Sequence, residues 1–292
     1  MIEIKELSHS IGKSLILDNI SLTVEDGSVM GLIGINGAGK STLLRNIAGV
    51  YQPTRGEVLV DGVNSQDPKA REGLFFLPDD PYYTANATGK GIFDMYKNFF
   101  PNMDKKIFSD YLADYSIDEK KSLRTFSKGM RRQLYIALAF AARPKHLLLD
   151  EAFDGLDPLS RLTCKRRINA LVEETGASVI ISSHSLRELE DFCDKYVMLD
   201  NKRIAAGGDI TESVSALCKF ELAFATAPDR SVFEHLSPLS VELNGKFARV
   251  VLEGDADEMR GKLSELSPLV MEELPVDFEE AFISRVKGRI DG

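Results

Sequence analysis

The sequence predicts an α/β fold: a mostly parallel core sheet, antiparallel strands at the N-terminal end, an inserted helical subdomain and a small C-terminal α/β appendage. Three observations predict it. Short apolar runs at Val29–Ile33, Leu74–Leu77, Leu147–Leu149 and Ser178–Ser182 alternate with stretches that can hold crossover helices, the spacing of βαβ units. The first run leads into a glycine-rich loop, Gly34-Ile35-Asn36-Gly37-Ala38-Gly39-Lys40-Ser41-Thr42, and then into an amphipathic segment, Leu43–Val50. Between Tyr82 and Pro144 the pattern lengthens to helical segments rich in aromatics, among them Phe93, Tyr96, Phe99, Phe100, Phe108, Tyr111 and Tyr115.

The 292 residues suffice for one large domain or two smaller ones, each with a substantial core. A net charge of -9 disfavours a chain whose main partner is nucleic acid phosphate, so no nucleic acid partner is expected. The basic clusters Lys128-Arg131-Arg132 and Arg161-Lys165-Arg166-Arg167 are expected to be solvated helix faces. Cys164, Cys193 and Cys218 are widely spaced, with no CxxC pair, and suggest reduced thiols rather than a disulfide framework or zinc site. No apolar run is long enough to span a bilayer and the first residues lack signal-peptide character. The expectation is a soluble, cytoplasmic chain that meets a membrane only through a partner.

In chain order, Ile2–Leu7 and Leu15–Val24 alternate apolar and polar residues as antiparallel strands do, and Asp26-Gly27 turns the chain into the loop strand. Gln52–Gly56 is a turn, Glu57–Val60 with Asp61-Gly62 a short strand and hairpin. Leu74–Leu77 ends in the loop Pro78-Asp79-Asp80-Pro81. Ser127 is a candidate N-cap for a helix running to Arg143, before Pro144. Asp157 and Pro158 open a helix that Gly176 ends, and Leu186–Cys193 is expected as a further helix after His184. Tyr196–Asp200 and Arg203–Ala206 form a hairpin. Residues 1–214 are thereby assigned to one domain, with the helical subdomain over about 82–145, and 215–292 to the appendage. There, Phe220–Phe224, Phe247–Leu252 and Leu269–Met271 are expected strands and Glu258–Leu266 a helix; a last helix has the capping box Asp277/Glu280 and the apolar stripe Phe278, Ala281, Phe282, Val286.

The loop Gly34–Thr42 carries chemistry of its own. Its glycines allow positive φ and close approach of backbone N–H groups to an anion, and the helix beginning near Lys40 adds its positive end. Lys40 supplies a mobile charge for β- and γ-phosphates, and the Ser41 hydroxyl suits Mg²⁺. This is a phosphate-binding P-loop for a nucleoside triphosphate. Asp150 and Glu151 end a buried strand, at the sheet edge where open α/β folds bind ligands.

Further motifs make residues 1–214 resemble the ATP-binding cassette (ABC) ATPases. Phe126-Ser127-Lys128-Gly129-Met130 stands where that family has its LSGGQ signature, Leu147–Glu151 is similar to its Walker B strand and following glutamate, Gly155-Leu156-Asp157-Pro158 to its D-loop, and His184 to its switch histidine. The resemblance implies a P-loop NTPase that hydrolyses ATP with Mg²⁺. Asp150 would hold the metal opposite Ser41, Glu151 would take the proton of the attacking water, and His184 would contact the γ-phosphate. It also implies a head-to-tail dimer sandwiching two ATPs, in which Ser127 and Gly129 of one copy cap the ATP of the other and Asp157 links the copies. A separate membrane permease would receive the work, its coupling helix meeting the segment Pro81–Phe100. The SKGM form of the signature resembles subunits of bacterial exporters of drugs, antibiotics and similar cargo. Two departures stand out. Where the family commonly stacks an aromatic on adenine this chain has Ile11, and where a glutamine approaches Mg²⁺ it has Asp79, which serves either as a metal ligand or as a turn residue.

Two other readings of the motifs stay open: a soluble ABC ATPase acting in assembly, repair or translation, and a switch GTPase, though Asn201-Lys202-Arg203-Ile204 lacks the aspartate of an NKxD base-recognition motif.

Overall fold

The computed structural model describes residues 1–282, which fall into two compact units dividing between Gly207 and Gly208. In the first unit β1 (Ile2–Ile11) and β2 (Ser14–Val24) pair antiparallel, with Ile2 opposite Val24 and Ile4 opposite Leu22. β3 (Val29–Ile33) is buried along its whole length and delivers the chain to α1 (Lys40–Ile47). β4 (Arg55–Val60) and β5 (Val63–Asn64) return to the first pair, giving a four-stranded sheet ordered β2-β1-β4-β5. α1 stops short of the expected Val50 because Gly49 turns at φ +66°, where a side chain would stand 2.1 Å from the Ser65 carbonyl oxygen.

β6 (Leu74–Leu77) precedes the helical segment α2 (Gly89–Tyr96), α3 (Lys105–Asp114) and α4 (Lys128–Ala142). Most of its aromatics make core: Phe93 packs on Phe108, Tyr111 on Phe140, and Tyr96 and Phe100 on Phe75 of β6. β7 (His146–Leu149), α5 (Pro158–Thr175), β8 (Ser178–Ser183), α6 (Leu186–Glu190), β9 (Lys195–Asp200) and β10 (Arg203–Asp209) complete the unit. The strands order as β10-β9-β3-β8-β7-β6, and β9, β3, β8, β7 and β6 pair in parallel. α6 is shorter than expected, ending at Glu190. Apolar side chains from both sheets and α1, including Ile4, Leu44, Ile47, Leu148 and Ile180, form one core. At the amino edge of β7, His146 Nε2 lies 3.0 Å from Asp61 Oδ2 and its Nδ1 2.6 Å from Ser178 Oγ, so a polar contact also ties the two sheets.

Asp157 caps α5 and Gly176 closes it at φ +67°, as the residue types require. Parallel strands with crossover helices bring the carboxyl ends of β3, β7 and β8 side by side: Leu149 pairs with Ile181, and Leu32 and Ile33 with Ser182 and Ser183. Everything that follows β3, β7 and β8 therefore emerges on one edge.

The second unit opens with α7 (Ile210–Ser215), capped by Asp209, so the division falls a little before residue 214. β11 (Leu217–Ala223), β12 (Ser240–Asn244), β13 (Phe247–Glu253) and β14 (Val270–Leu274) form an antiparallel sheet ordered β12-β13-β11-β14. α8 (Ala256–Ser264) and a 3₁₀ segment at Arg230–Leu236 cover one face with Phe220, Leu222, Phe233, Val250 and Leu263. β12 is absent from the sequence-based expectation, although Asn244-Gly245 is a hairpin signal: Val241 and Leu243 alone make too short an alternation. The capping box forms, with Glu280 N–H donating to Asp277 Oδ1 at 2.7 Å, and Ala281 packs against Leu217 and Val251. Val286 lies outside the described residues.

Candidate active site

The glycine loop adopts the conformation its composition demands. Gly37 and Gly39 have φ of +85° and +105°, and a Cβ on Gly34 would sit 2.7 Å from the Leu199 carbonyl oxygen. Gly39 is the N-cap of α1, and no acidic side chain occupies the first turn to neutralise the helix's positive end. Ile35 is largely exposed at 72%, and Ala38 closes the turn by donating its N–H to the Ile35 carbonyl at 3.1 Å. Asn36 lies within this turn and Thr42 is buried in α1. Lys40 folds back, its Nζ donating to the Gly34 carbonyl at 2.5 Å and lying 3.1 Å from Glu151 Oε1.

Across the sheet edge, Asp150 is fully buried. Its Oδ1 accepts from Ser41 Oγ at 3.1 Å and from Ser182 Oγ at 2.8 Å, while no hydrogen-bond partner among the described residues reaches its buried Oδ2. Native proteins seldom leave a buried carboxylate oxygen so. A buried, unsatisfied carboxylate oxygen beside a hydroxyl is an all-oxygen donor set for a hard cation, and it fits Mg²⁺, which binds through one or two carboxylates plus substrate phosphates. Glu151 takes a positive φ of +48°, rare for a residue with a side chain, and its N–H donates to Ser182 Oγ at 2.9 Å. Its carboxylate stands between Lys40 and His184, whose Nδ1 is 3.2 Å from Oε2. Asp154 joins Glu151 and His184, their ligand atoms lying within 4.8 Å of one another.

The remaining sequence candidates lie elsewhere. Ile11 is 52% exposed at the end of β1, at the β1–β2 hairpin turn. Ser127 caps α4, its Oγ accepting from Met130 N–H at 3.1 Å, and Gly129 backs onto the Gly155 carbonyl, 3.1 Å from where its Cβ would be. Asp157 accepts from Leu159 and Ser160 N–H and from Ser160 Oγ at 2.6 Å; the Ser160 bonds hold its carboxyl below the usual carboxylate range.

Asp79, read from the sequence as a metal ligand or a turn residue, meets a cation of the protein itself. Its carboxylate is held by Arg132, with Nη2 at 2.6 Å from Oδ1, while Nη1 donates to the Pro78 carbonyl at 3.2 Å. Arg132 is correspondingly no solvated residue of a basic run: it is 3% exposed, because these two acceptors satisfy its guanidinium. Ser182, Asp154 and Arg132 escape the sequence reading. Ser182 leaves one trace there, a hydroxyl directly after the apolar run Val179–Ile181; Arg132 leaves none, its partner lying on a different element.

Replacing Asp79 by Ala strands a buried guanidinium, a loss moderated by the partial exposure of the carboxylate, and should destabilise the chain by about 1–2 kcal/mol. Chemical unfolding measures this. The Mg²⁺ concentration for half-maximal ATPase should not move; a raised requirement with unchanged stability would restore Asp79 as a metal ligand.

The ABC transporter family model matches residues 17–154. The chain is 33% identical to the ABC transporter ATP-binding protein YtrB of Bacillus subtilis over 291 residues, covering 99% of each. It is 28% identical to the Nod factor export ATP-binding protein I of Rhizobium etli over 298 residues, 99% of this chain and 93% of that one. A solved structure of the ATP binding subunit of an ABC transporter superposes with a TM-score of 0.67 at 28% identity, over 73% of this chain and 91% of the other. Kinship that runs the whole length of a relative, through both units, says more than a glycine loop alone could: the chain belongs to the ABC transporter ATP-binding proteins, and its chemistry is the hydrolysis of ATP.

Proposed function

We propose that this chain works as one half of a two-copy ATPase that drives a separate membrane permease from the cytoplasmic face, with export of drugs, antibiotics or similar compounds as the work done. The observation that carries the catalytic part is the convergence of Lys40, Ser41, Asp150 and Glu151 on one sheet edge. Lys40 is shared between the loop carbonyls and Glu151. A triphosphate entering the loop offers it denser negative charge than one carboxylate does, so Lys40 turns to the β- and γ-oxygens and Glu151 is released to take a proton from water. His184, beside Glu151, holds that carboxylate and reaches toward the γ-phosphate. Ser41 and Asp150 Oδ2 would hold Mg²⁺, which supplies charge neutralisation on the β- and γ-oxygens.

The second copy follows from the signature helix. α4 presents its N-terminal amides and the Ser127 hydroxyl, a phosphate-binding end, yet Gly129 packs beside Gly155 rather than beside the glycine loop. Its phosphate is best supplied by another copy, with Asp157 near the junction. Ile11 packs on adenine without stacking. For the permease, the support is a cavity of about 340 Å³ between the loop at Asp79–Tyr83 and α4, lined also by Arg131 and Tyr135. Tyr82 beside it, and Met95 and Phe99 in the same segment Pro81–Phe100, are exposed at 90%, 51% and 70%. Among the described residues no helix is long and apolar enough to cross a membrane. Export is favoured by the SKGM signature and by similarity over nearly the full chain to a protein named for export.

Glu151→Gln should bind ATP normally, lose about 10²-fold or more in turnover and accumulate as an ATP-bound dimer on size exclusion; near-normal hydrolysis would remove Glu151 from its role. A detergent pull-down from the native membrane should recover a multi-helix membrane protein, whereas recovery of ribosomes or repair factors instead would favour the soluble reading.

A further inference from the structure

Ser182 belongs to neither the glycine loop nor the acidic pair, yet it touches both acids. It follows Val179-Ile180-Ile181 as the penultimate residue of β8 and is 1% exposed, so its hydroxyl must find partners inside the protein. The parallel register, Leu149 beside Ile181, sets residue 182 next to residue 150 on the neighbouring strand. Its single proton goes to Asp150 Oδ1 at 2.8 Å, and its oxygen accepts the N–H of Glu151 at 2.9 Å. Ser183, next along the chain, faces away and donates to Glu188 Oε2 at 2.7 Å.

We infer that Ser182 is a positioning residue, one hydroxyl that sets the metal-binding carboxylate and the proton-accepting glutamate in register with each other. The inference rests on the roles proposed above for Asp150 and Glu151. With Ser41 and Ser182 both donating to Oδ1, that oxygen is occupied and Oδ2 is the one presented to a cation. The Asp150 carboxylate cannot rotate without breaking two bonds. Glu151, held at a φ of +48°, leaves the ordinary backbone regions just where its side chain must aim between Lys40 and His184. The bond from its N–H to Ser182 Oγ fixes the peptide that begins this turn. Outer partners of metal ligands typically act this way, orienting the ligand rather than touching the metal.

The test compares wild type, Ser182→Ala, Ser182→Thr and Glu151→Gln as full chains. Mn²⁺ binding is followed by electron paramagnetic resonance with a non-hydrolysable ATP analogue, nucleotide binding in EDTA, steady-state hydrolysis and thermal unfolding alongside. Ser182→Ala should weaken Mn²⁺ binding and lower kcat, each by about 10- to 100-fold, with nucleotide affinity in EDTA unchanged. Ser182→Thr, which keeps the hydroxyl, should recover most of both. Mn²⁺ affinity in Ser182→Ala equal to wild type would overturn the inference, as would an equal loss in a Ser182→Thr protein that unfolds like wild type. A Glu151→Gln protein that turns over normally would count against the site reading itself. Unimpaired Ser182→Ala beside an inactive Glu151→Gln would count against Ser182 alone.

Discussion

The buried carboxylate of Asp150 is the constraint around which the first unit is arranged. A charge removed from water must be met by hydrogen bonds or counter-charge, and here two hydroxyls from different elements supply them, Ser41 from α1 and Ser182 from β8. Those bonds can form only where the carboxyl ends of β3, β7 and β8 lie abreast, which the parallel register and crossover helices bring about. The apolar runs that build the sheet and the polar atoms at its edge thus serve one arrangement. In the proposed site the oxygen that neither hydroxyl reaches is the one offered to a cation.

Beside it, Lys40 and Glu151 form an ion pair whose members both have other uses. An almost fully buried lysine paired to a carboxylate is a costly resource if the pair is merely structural. In the proposed mechanism the pair acts as a switch, because the ligand that draws the lysine away frees the acid that takes a proton from the attacking water. The N-terminus of α4, capped by Ser127, lies beside the Gly155 turn, and in the proposed dimer it would meet the phosphate held by the glycine loop of a second copy.

What was legible in the sequence follows from how local the physics is. Gly34–Thr42 works through consecutive residues, so its glycines, lysine and hydroxyl announced the loop and the positive φ values it adopts. Caps at Ser127, Asp157 and Asp277 were legible for the same reason, each needing only the next three residues. Contacts between elements were not. The sequence read Asp79 as a metal ligand or a turn residue, and nothing in it announced the Arg132 that the fold brings from α4, a member of a run of charges whose usual place is the surface. Ser182 carried only the faint signal of a hydroxyl in an apolar strand, since its partners come from β7 by register and not by sequence. In the second unit β12 was hidden because a two-residue alternation says little without the strand it pairs with.

The central claim is that one chain holds half of each catalytic site, so the dependence of initial ATPase rate on protein concentration, measured in detergent-free solution with saturating Mg²⁺ and ATP, tests it most directly. Below the dimer dissociation constant the rate should rise with the square of protein concentration, because only pairs hydrolyse. A rate strictly proportional to concentration down to the monomeric range, verified by light scattering, would contradict the claim and make each chain a complete enzyme.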